Sequence, residues 1–584
     1  MTDLRATLAP ARTVEMLFAA WLRVIALLLA VMLVVAPVDP KNSITDIFIY
    51  RQDGPAIALG LVFWLIAAAW SLGPAVPWPA APGPGRAGMV ALLVAVAALV
   101  GGRVVYRNYG LSMDEFMAGF DARIFATGRL LAPVAPEWRP FVDGLQPIFR
   151  LPVSQGAAWA SAYLPVNAAF LSLFAAPGFP WAASALWAGV SILAIHGLAR
   201  RMWPGRRDAA WVAALLLASS TQLLVTAMTP YAMSAHLALN LVWLWLFLRG
   251  GRGGHLAAAG VAGLACGLHQ LIFHPLFAAP FVLQLWLARR WRVAAFHTAA
   301  YALIGLFWTF YAGLALRLSG VEPAGTVGAA HLAQQVAGLL STFDLTGVAL
   351  MAKNLLRFIA WQNPLAIALF VLGFGAALRR GGVLQALAAG FLLTLAAVFV
   401  LLPFQGHGWG YRYVHGLLGS VCLIAVGAWI TLTEADPTRR PVLAKALAAA
   451  CVFVWGLLLP WQALQVHRWV TPYARASDAL AAIDADVVII DPRGIWYGRD
   501  LARNDPFLVA RPKIVSLADL DETGVTQLCR THRVKVFDAG AALKLGLRPA
   551  RASAELDETA ARLRAVMRRL HCGEPPLASA RPAT

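Results

Sequence analysis

Hydrophobic and polar positions alternate along this chain in long blocks. Apolar runs of about 16 to 24 residues follow one another from the N-terminus to about residue 462, separated by short polar segments. A helix needs about 20 apolar residues to cross a bilayer, so the runs predict about thirteen transmembrane helices. The predicted helices are 14–37, 55–76, 89–106, 180–200, 208–227, 234–249, 255–270, 271–288, 293–316, 364–379, 383–403, 412–432 and 441–462.

The pattern changes after residue 475. "DVVIID" (486–491), "KIVSL" (513–517) and "KVFD" (535–538) are short runs typical of β-strands, and "DETGVTQLCRTH" (521–532) has helix length. This order predicts a small α/β domain with a partly parallel sheet. The expected fold is thus an all-α polytopic membrane domain over 1–465, followed by a C-terminal α/β domain over 466–584.

Composition supports a membrane protein. The chain of 584 residues is 60% hydrophobic and 13% charged, with a mean hydropathy of +0.67. The net charge of +19 would suggest nucleic-acid binding in a soluble chain. Here the basic residues cluster in short loops between apolar runs, as in cytoplasmic loops of membrane proteins, so nucleic acid is not an expected partner.

The arginine clusters predict the orientation. They lie at Arg200, Arg201, Arg206 and Arg207; at Arg249 and Arg252; at Arg289, Arg290 and Arg292; at Arg379 and Arg380; and at Arg439 and Arg440. With thirteen spans, all five loops fall on one side, which the positive-inside rule makes cytoplasmic. The loop 107–179, the segment 317–363 and the C-terminal domain then lie outside. Counting Trp159–Gly178 as a span would invert this order, so we expect an interfacial or re-entrant helix there.

The five cysteines show no metal-ligand spacing. Cys266, Cys422 and Cys451 lie in or beside apolar segments, where a free cysteine behaves as a small hydrophobic residue. Only Cys529 and Cys572 share a polar region, which leaves a disulfide between them open.

The stretch "SMDEFMAGFDARIFATGRLLAP" (112–133) places carboxylates in the first external loop. Ser112-x-x-Glu115 is a capping-box pattern, and Asp114 lies in the first helical turn, where a carboxylate complements the helix dipole. A purely structural explanation therefore exists for both acids. Helical spacing also places Asp114 and Asp121 on the flank of an apolar stripe. An interfacial helix would hold them at the water–lipid boundary, which suits an enzyme whose substrate is half lipid and half sugar.

The same stretch resembles the first external loop of the C-type-fold (GT-C) membrane glycosyltransferases that use polyprenyl-phosphate sugars. This group includes the protein mannosyltransferases and the lipid A aminoarabinose transferases. Asp114–Glu115, Gly128–Arg129 and Pro133 with Pro136 match its motifs in order. "AYLPVNAAFLSLF" (162–174) and residues 185–224 resemble the segments that follow. The similarity spans roughly residues 90–435, as judged from the order and sidedness of the motifs.

The resemblance implies transfer of a sugar from a polyprenyl-phosphate donor to a periplasmic glycan, lipid or protein. It also implies a multi-pass protein of the bacterial inner membrane with a periplasmic C-terminal domain. Asp114 is the candidate base for the acceptor hydroxyl, and Glu115 is a catalytic candidate that completes the cap and orients the helix. Asp121 is a weaker second acid. Family members often carry a basic residue within "GLACGLHQLIFHP" (263–275), where this chain offers only His269 and His274.

Cations at the phosphate oxygens would stabilise an anionic leaving group. "GHGWGYRYVHG" (406–416) offers His407, Arg412 and His415, and Trp409 is a candidate for stacking on a sugar. An interfacial aromatic belt with a snorkelling arginine explains the same residues.

Lys353 and Arg357, four positions apart, share one helix face and are candidates for substrate or lipid-headgroup contacts. No set of His, Asp and Glu residues forms a metal signature in the sequence. The chemistry is compatible with a divalent metal ion but assigns none.

Two other classes explain parts of the pattern. A transporter or flippase for a polyprenyl-linked or polar lipid would also need many spans, but it predicts functional charges at mid-membrane. A non-enzymatic scaffold would bind a partner through its external domain. Only the glycosyltransferase must release free polyprenyl phosphate when donor and acceptor are present.

The arginine pattern gives a testable topology. Single cysteines placed in the loop 201–207 should be shielded from a membrane-impermeant thiol reagent in intact cells, whereas cysteines after residue 466 should react. Labelling of the 201–207 loop from outside would overturn the orientation.

Overall fold

The predicted apolar runs form helices. The computed structural model describes residues 2–39, 44–71, 85–146, 148–175, 179–325, 345–550 and 554–572. The helices before the C-terminal region are α1 Thr2–Val34, α2 Ile44–Phe48, α3 Gly54–Ser71, α4 Gly85–Val104, α5 Met113–Phe125, α6 Val142–Leu145, α7 Val166–Ala175, α8 Ala182–Met202, α9 Arg207–Ala218, α10 Thr221–Thr226, α11 Met233–Arg249, α12 Gly251–Cys266, α13 Phe273–Leu287, α14 Trp291–Leu318, α15 Leu345–Ala360, α16 Pro364–Arg380, α17 Gly382–Leu401, α18 Leu418–Ala435, α19 Arg439–Phe453 and α20 Leu459–Ala481.

Eight helices in the described part of the chain are long and apolar enough to cross a membrane. They are Ala11–Val34, Ile44–Ser71, Gly85–Val104, Ala182–Met202, Trp291–Leu318, Gly382–Leu401, Arg412–Ala435 and Arg439–Ala481. The chain is therefore a multi-pass, predominantly helical membrane protein, as the sequence predicts.

The predicted count of about thirteen spans is not confirmed. The other five predicted segments form the shorter helices α11, α12, α13 and α16 and the broken pair α9 and α10. The break follows from local chemistry, because the Ser220 side chain caps α10 by accepting from the Leu223 N–H at 3.2 Å. Between α11 and α12, Gly250 and Gly251 adopt positive φ angles that end the first helix. Helix α7 has ten residues, too few to cross a bilayer.

The helices of the membrane part pack closely where glycines face a neighbour. Residues 1–108, 164–311 and 327–467 form one compact unit, here called the membrane unit. A Cβ added at Gly189 of α8 would lie 3.2 Å from the Ala91 carbonyl oxygen of α4. One added at Gly373 of α16 would lie 2.9 Å from the Ile424 carbonyl oxygen of α18. Small residues at these positions allow the backbones to approach.

Residues 109–163, 312–326 and 468–584 form a second compact unit, here called the α/β unit. Its main sheet has three parallel strands, with Val487–Ile490 in the centre between Lys513–Ser516 and Val534–Phe537. The strands of this unit are β1 Ala132–Pro133, β2 Ala158–Trp159, β3 Val487–Ile490, β4 Lys513–Ser516 and β5 Val534–Phe537. The helices after the first strand of this sheet are α21 Glu522–Thr531, α22 Ala539–Lys544 and α23 Ala554–Arg569. The predicted C-terminal α/β region is confirmed.

The central strand β3 is apolar on both faces, which is typical of a buried parallel strand. All four residues of β3 are buried. Asp521 begins α21 by accepting from the Gly524 N–H at 2.6 Å. A disulfide joins Cys529 to Cys572, so the pairing that the sequence left open is present. The loop that carries Asp114 belongs to this same unit.

Candidate functional site

The helix that carries the two adjacent acids begins with the predicted capping box. The Ser112 hydroxyl accepts from the Glu115 N–H at 3.3 Å, and the Glu115 carboxylate accepts from the Ser112 N–H at 2.5 Å. Both side chains are buried. The Glu115 and Ser112 side chains therefore each satisfy one backbone donor at the start of the helix.

Asp114 has a different partner from Glu115. Its carboxylate accepts a hydrogen bond from the hydroxyl of Tyr163, and the residue is 9% exposed. Tyr163 comes from "AYLPVN", one of the segments that resemble the family motif. A donor at the carboxylate favours its charged form and fixes the direction of its oxygens. The sequence shows Tyr163 in this motif but does not identify it as the partner of Asp114.

Asp121, two turns later, binds the same segment. Its carboxylate accepts from the Ser161 N–H at 2.9 Å and from the Ser161 hydroxyl. Burial raises the pKa of Asp121 to about 6, and the two hydrogen bonds from Ser161 act in the opposite direction. Asp121 thus ties helix α5 to the residues around Tyr163.

The C-terminal region contributes two residues that sequence reasoning missed. Burial, and then the negative charge of Asp114, raise the pKa of Asp500 to about 7, while the charge of Arg503 acts to lower it. The guanidinium of Arg503 donates to the carbonyl oxygens of Gly110 and Leu111. The only signal in the sequence is the density of charged residues in "GRDLARND" (498–505), a pattern that solvent-exposed loops share.

In the membrane unit, Arg412 lies between two tyrosine rings. Its guanidinium carbon is 5.7 Å from the ring centre of Tyr231 and 5.2 Å from that of Tyr413, within the range of a cation–π contact. A narrow cleft with about 300 Å³ of empty space, its open mouth included, runs beside Arg412. His236, Asn240 and Thr394 contribute polar atoms to its lining.

The other predicted substrate-binding residues of this unit differ in how deeply they are buried. His274 is fully buried and is bound by the Asn240 side chain at 2.7 Å and the Tyr301 hydroxyl at 2.9 Å. His269 is half-buried. His407 is buried, and its carbonyl oxygen accepts from the Tyr231 hydroxyl at 3.4 Å. His274 is therefore part of the packed interior, and the structure leaves His269 nearer to the surface.

Trp409 is part of the core. It is 3% exposed, and its ring lies 6.0 Å from that of Trp361 and 5.2 Å from that of Phe48. Its indole N–H donates to the Tyr106 hydroxyl at 2.5 Å. Neighbouring rings therefore cover Trp409.

Lys353 and Arg357 form ion pairs inside the protein. The Lys353 ammonium binds the carboxylates of Asp46, at 2.5 Å, and Asp39. Arg357 Nε binds Asp53 at 2.9 Å, and both of these side chains are fully buried. Acidic side chains of the protein therefore bind both cations. The sequence alone does not identify these ion pairs.

Metal binding stays unassigned. Among the described residues, no group of three or more His, Cys, Asp or Glu side chains is arranged to hold a metal ion.

The raised pKa of Asp121 predicts a pH-dependent stability. The folded protein holds this proton more tightly than the unfolded chain, so the stabilising contribution of the protonated Asp121 carboxyl is fully present below about pH 4 and is lost as the pH rises from there through about 6. The loss is about 3 kcal/mol, at about 1.4 kcal/mol per pKa unit. Asp121→Asn removes this titration. Between pH 5 and 7.5, the melting temperature of the variant in detergent should therefore change less than that of the wild-type protein. Identical pH profiles would contradict the assignment.

Comparisons with known proteins identify similar structures only. No family model matches the sequence, and no curated protein matches it. The structure is similar to a crystal structure of ArnT from Cupriavidus metallidurans bound to undecaprenyl phosphate, with a TM-score of 0.48 and 15% identity over 80% of this chain and 91% of that chain. It is also similar to the apo state of ArnT from the same organism, with a TM-score of 0.46 and 14% identity over 79% of this chain and 90% of that chain.

Proposed function

We propose that this chain is an integral-membrane glycosyltransferase that moves a sugar from a polyprenyl-phosphate donor to an acceptor. The observation that carries the proposal is that the two adjacent acids have different hydrogen-bond partners. Glu115 completes the helix cap, whereas the Asp114 carboxylate is bound by the Tyr163 hydroxyl. Helix capping therefore explains Glu115, whereas the Asp114 carboxylate is held by a residue from the following motif segment. The ordered family motifs around Asp114 support a role in transfer chemistry.

In the proposed reaction, Asp114 acts as a general base. The oxygen of an acceptor hydroxyl attacks the anomeric carbon of the donor sugar, and the bond from that carbon to the phosphate oxygen breaks. The electron pair leaves with the polyprenyl phosphate, and the acceptor proton passes to the Asp114 carboxylate. The Tyr163 hydroxyl would orient this carboxylate before the transfer.

Glu115 and Asp121 would support Asp114 indirectly. Glu115 fixes the first turn of α5 through the capping box, and Asp121 fixes its middle through Ser161. A base must sit within hydrogen-bond reach of the proton that it removes, so a rigid helix favours the reaction.

We propose that Arg412 contributes to binding the donor phosphate. A guanidinium can bind two phosphate oxygens at once, and its charge would offset the negative charge that develops on the leaving group. The aromatic rings of Tyr231 and Tyr413 hold the guanidinium in place. His269 and His407 are the further candidates for this role.

We place the enzyme in a bacterial inner membrane with its C-terminal region in the periplasm. The arginine-rich loops support this orientation. The acceptor class in this proposal is a periplasmic glycan, lipid or protein of the cell envelope.

A transporter or flippase for a polyprenyl-linked or polar lipid is the second candidate. The observation that favours it is the buried pair of Arg357 and Asp53, because ionisable groups in membrane helices often mark a transport path. Trp361 and the Gly408 carbonyl also bind this pair, at 2.7 Å and 2.6 Å. These contacts are typical of a fixed structural pair, so we favour the transferase.

Replacing Asp114 tests its proposed role as the base. Asp114→Asn keeps the size and polarity of the side chain but cannot accept a proton near neutral pH. Sugar transfer should fall by about two to four orders of magnitude, which is the usual contribution of general-base catalysis. The measurement is the transfer rate from a polyprenyl-phosphate sugar at equal amounts of folded protein in the membrane.

Glu115→Gln is the matched control for Asp114→Asn. Glutamine can also complete a capping box, so this variant should lose much less activity. If Asp114 served only the helix dipole, its replacement would cost at most about 1 kcal/mol of stability. Equal and mild losses in both variants would show that the acid pair only starts a helix.

Replacing Arg412 tests its proposed contact with the donor phosphate. Arg412→Ala should raise the KM for the donor by about tenfold or more, since a charge-assisted hydrogen bond contributes about 1.5 to 3 kcal/mol. Arg412→Lys keeps the charge but not the planar fork and should fall between alanine and wild type. Protein levels in membranes should change little. A variant with unchanged donor KM would assign Arg412 to a headgroup contact.

A further inference from the structure

A short C-terminal segment of the α/β unit forms hydrogen bonds with the residues that precede the Asp114 helix. This segment, Asp500–Pro506, is here called the clamp segment. The guanidinium of Arg503 donates through Nη1 to the Gly110 carbonyl oxygen and through Nη2 to that of Leu111, at 2.8 Å. These carbonyls lie immediately before Ser112, the residue that caps helix α5.

The same guanidinium is fixed on its other sides. Its Nε donates to the Asp500 carbonyl oxygen at 2.7 Å. The ring of Tyr109 lies 4.2 Å from its carbon atom and the ring of Phe116 lies 5.3 Å away. One arginine thus joins two stretches of chain that are 392 residues apart in the sequence. A lysine cannot reproduce a planar fork with three directed N–H bonds.

Two residues close to Arg503 in the sequence form further hydrogen bonds with the loop that carries Asp114. The Asn504 side chain donates to the Leu145 carbonyl oxygen at 2.9 Å and exchanges two hydrogen bonds with the backbone of Ile514 in strand β4. The indole N–H of Trp159 donates to the Pro506 carbonyl oxygen at 2.7 Å. The clamp segment therefore holds the external loop at three separate places and is itself anchored to the sheet.

We propose that the C-terminal clamp segment is part of the catalytic apparatus, with Arg503 as a positioning residue that fixes the start of helix α5 and through it Asp114. This inference rests on the proposed role of Asp114 as the base. It gives the C-terminal region a role in the reaction that neither its fold nor its sequence motifs assign.

The position of Asp500 adds an electrostatic link. Its side chain is buried, and the charges of Asp114 and Asp500 act on one another. Because burial raises the pKa of Asp500 to about 7, its ionisation above that pH would add a negative charge whose field acts on Asp114. The ionisable groups whose charges interact with Asp500 are Asp114, Arg499, Arg503, Tyr109, Tyr473 and Tyr497.

The test compares Arg503→Lys with Arg493→Lys in the full-length protein. Arg493 belongs to the same α/β unit and binds Asp491 through Nε at 3.0 Å and through Nη2 at 2.6 Å. Arg503→Lys should lower kcat by about 10- to 100-fold with a nearly unchanged donor KM, because a small displacement of a base is costly. Arg493→Lys should lose stability to a similar degree and keep its kcat.

Hydrogen exchange supplies a readout that needs no substrate. The amides of residues 112–117 should exchange about tenfold faster in Arg503→Lys than in wild type, which corresponds to about 1.4 kcal/mol of local opening. Arg493→Lys should leave them unchanged. Unchanged exchange and kcat in Arg503→Lys would overturn the clamp. An equal loss of kcat in both variants, in proportion to melting temperature, would overturn it as well.

A double variant separates this inference from the proposed function. If Arg503 acts through Asp114, adding Arg503→Lys to Asp114→Asn should cause no further loss of kcat. Multiplied losses would contradict action through Asp114. Faster exchange in Arg503→Lys together with a fully active Asp114→Asn would keep the clamp as a structural element but refute Asp114 as the base, and with it the catalytic role of Arg503.

Discussion

The buried ion pair between Arg357 and Asp53 is the contact on which the arrangement of the membrane unit depends. Neither side chain is exposed, so each charge is stable there only because the other is present. Arg357 also donates to the Gly408 carbonyl oxygen at 2.6 Å, which attaches the loop before Arg412 to helix α15. Removing one partner of such a pair costs about 3 to 5 kcal/mol. The loop is therefore held from one side by a fixed charge.

A chain of buried amides holds the same loop from another side. The Gln222 side chain donates to the Tyr411 carbonyl oxygen and accepts from Gln362, both at 2.8 Å. Gln362 in turn accepts from the Ser220 hydroxyl at 2.8 Å, at the break between α9 and α10. The interrupted helix thus supplies polar groups that a continuous apolar span could not offer. In the α/β unit, the capping box and Arg503 fix Asp114 in a comparable way. Both arrangements hold a candidate functional side chain in a fixed position, as electrostatic preorganisation requires.

The sequence predicts contacts within an element better than contacts between distant elements. The capping box of Ser112 and Glu115 and the strands of the C-terminal sheet follow from local pattern, and the structure contains both. The number of spans does not follow, because a single capping serine or glycine pair can shorten an apolar helix. Helical spacing gives the face of Lys353 and Arg357 but not their partners. Asp46, which binds Lys353, lies 307 residues away from it, and Asp53, which binds Arg357, lies 304 residues away. For the same reason Arg503 gave no signal of its contact with the Asp114 helix.

The central claim is that the chain breaks the bond between a sugar and a polyprenyl phosphate, and that Asp114 takes the acceptor proton in this step. The most direct measurement is the release of free polyprenyl phosphate from purified protein in vesicles, given donor lipid with and without acceptor. We predict release that depends on the acceptor and matches the glycosylated product one for one. Movement of intact donor lipid across the bilayer, with no release of polyprenyl phosphate, would contradict it and identify a transporter.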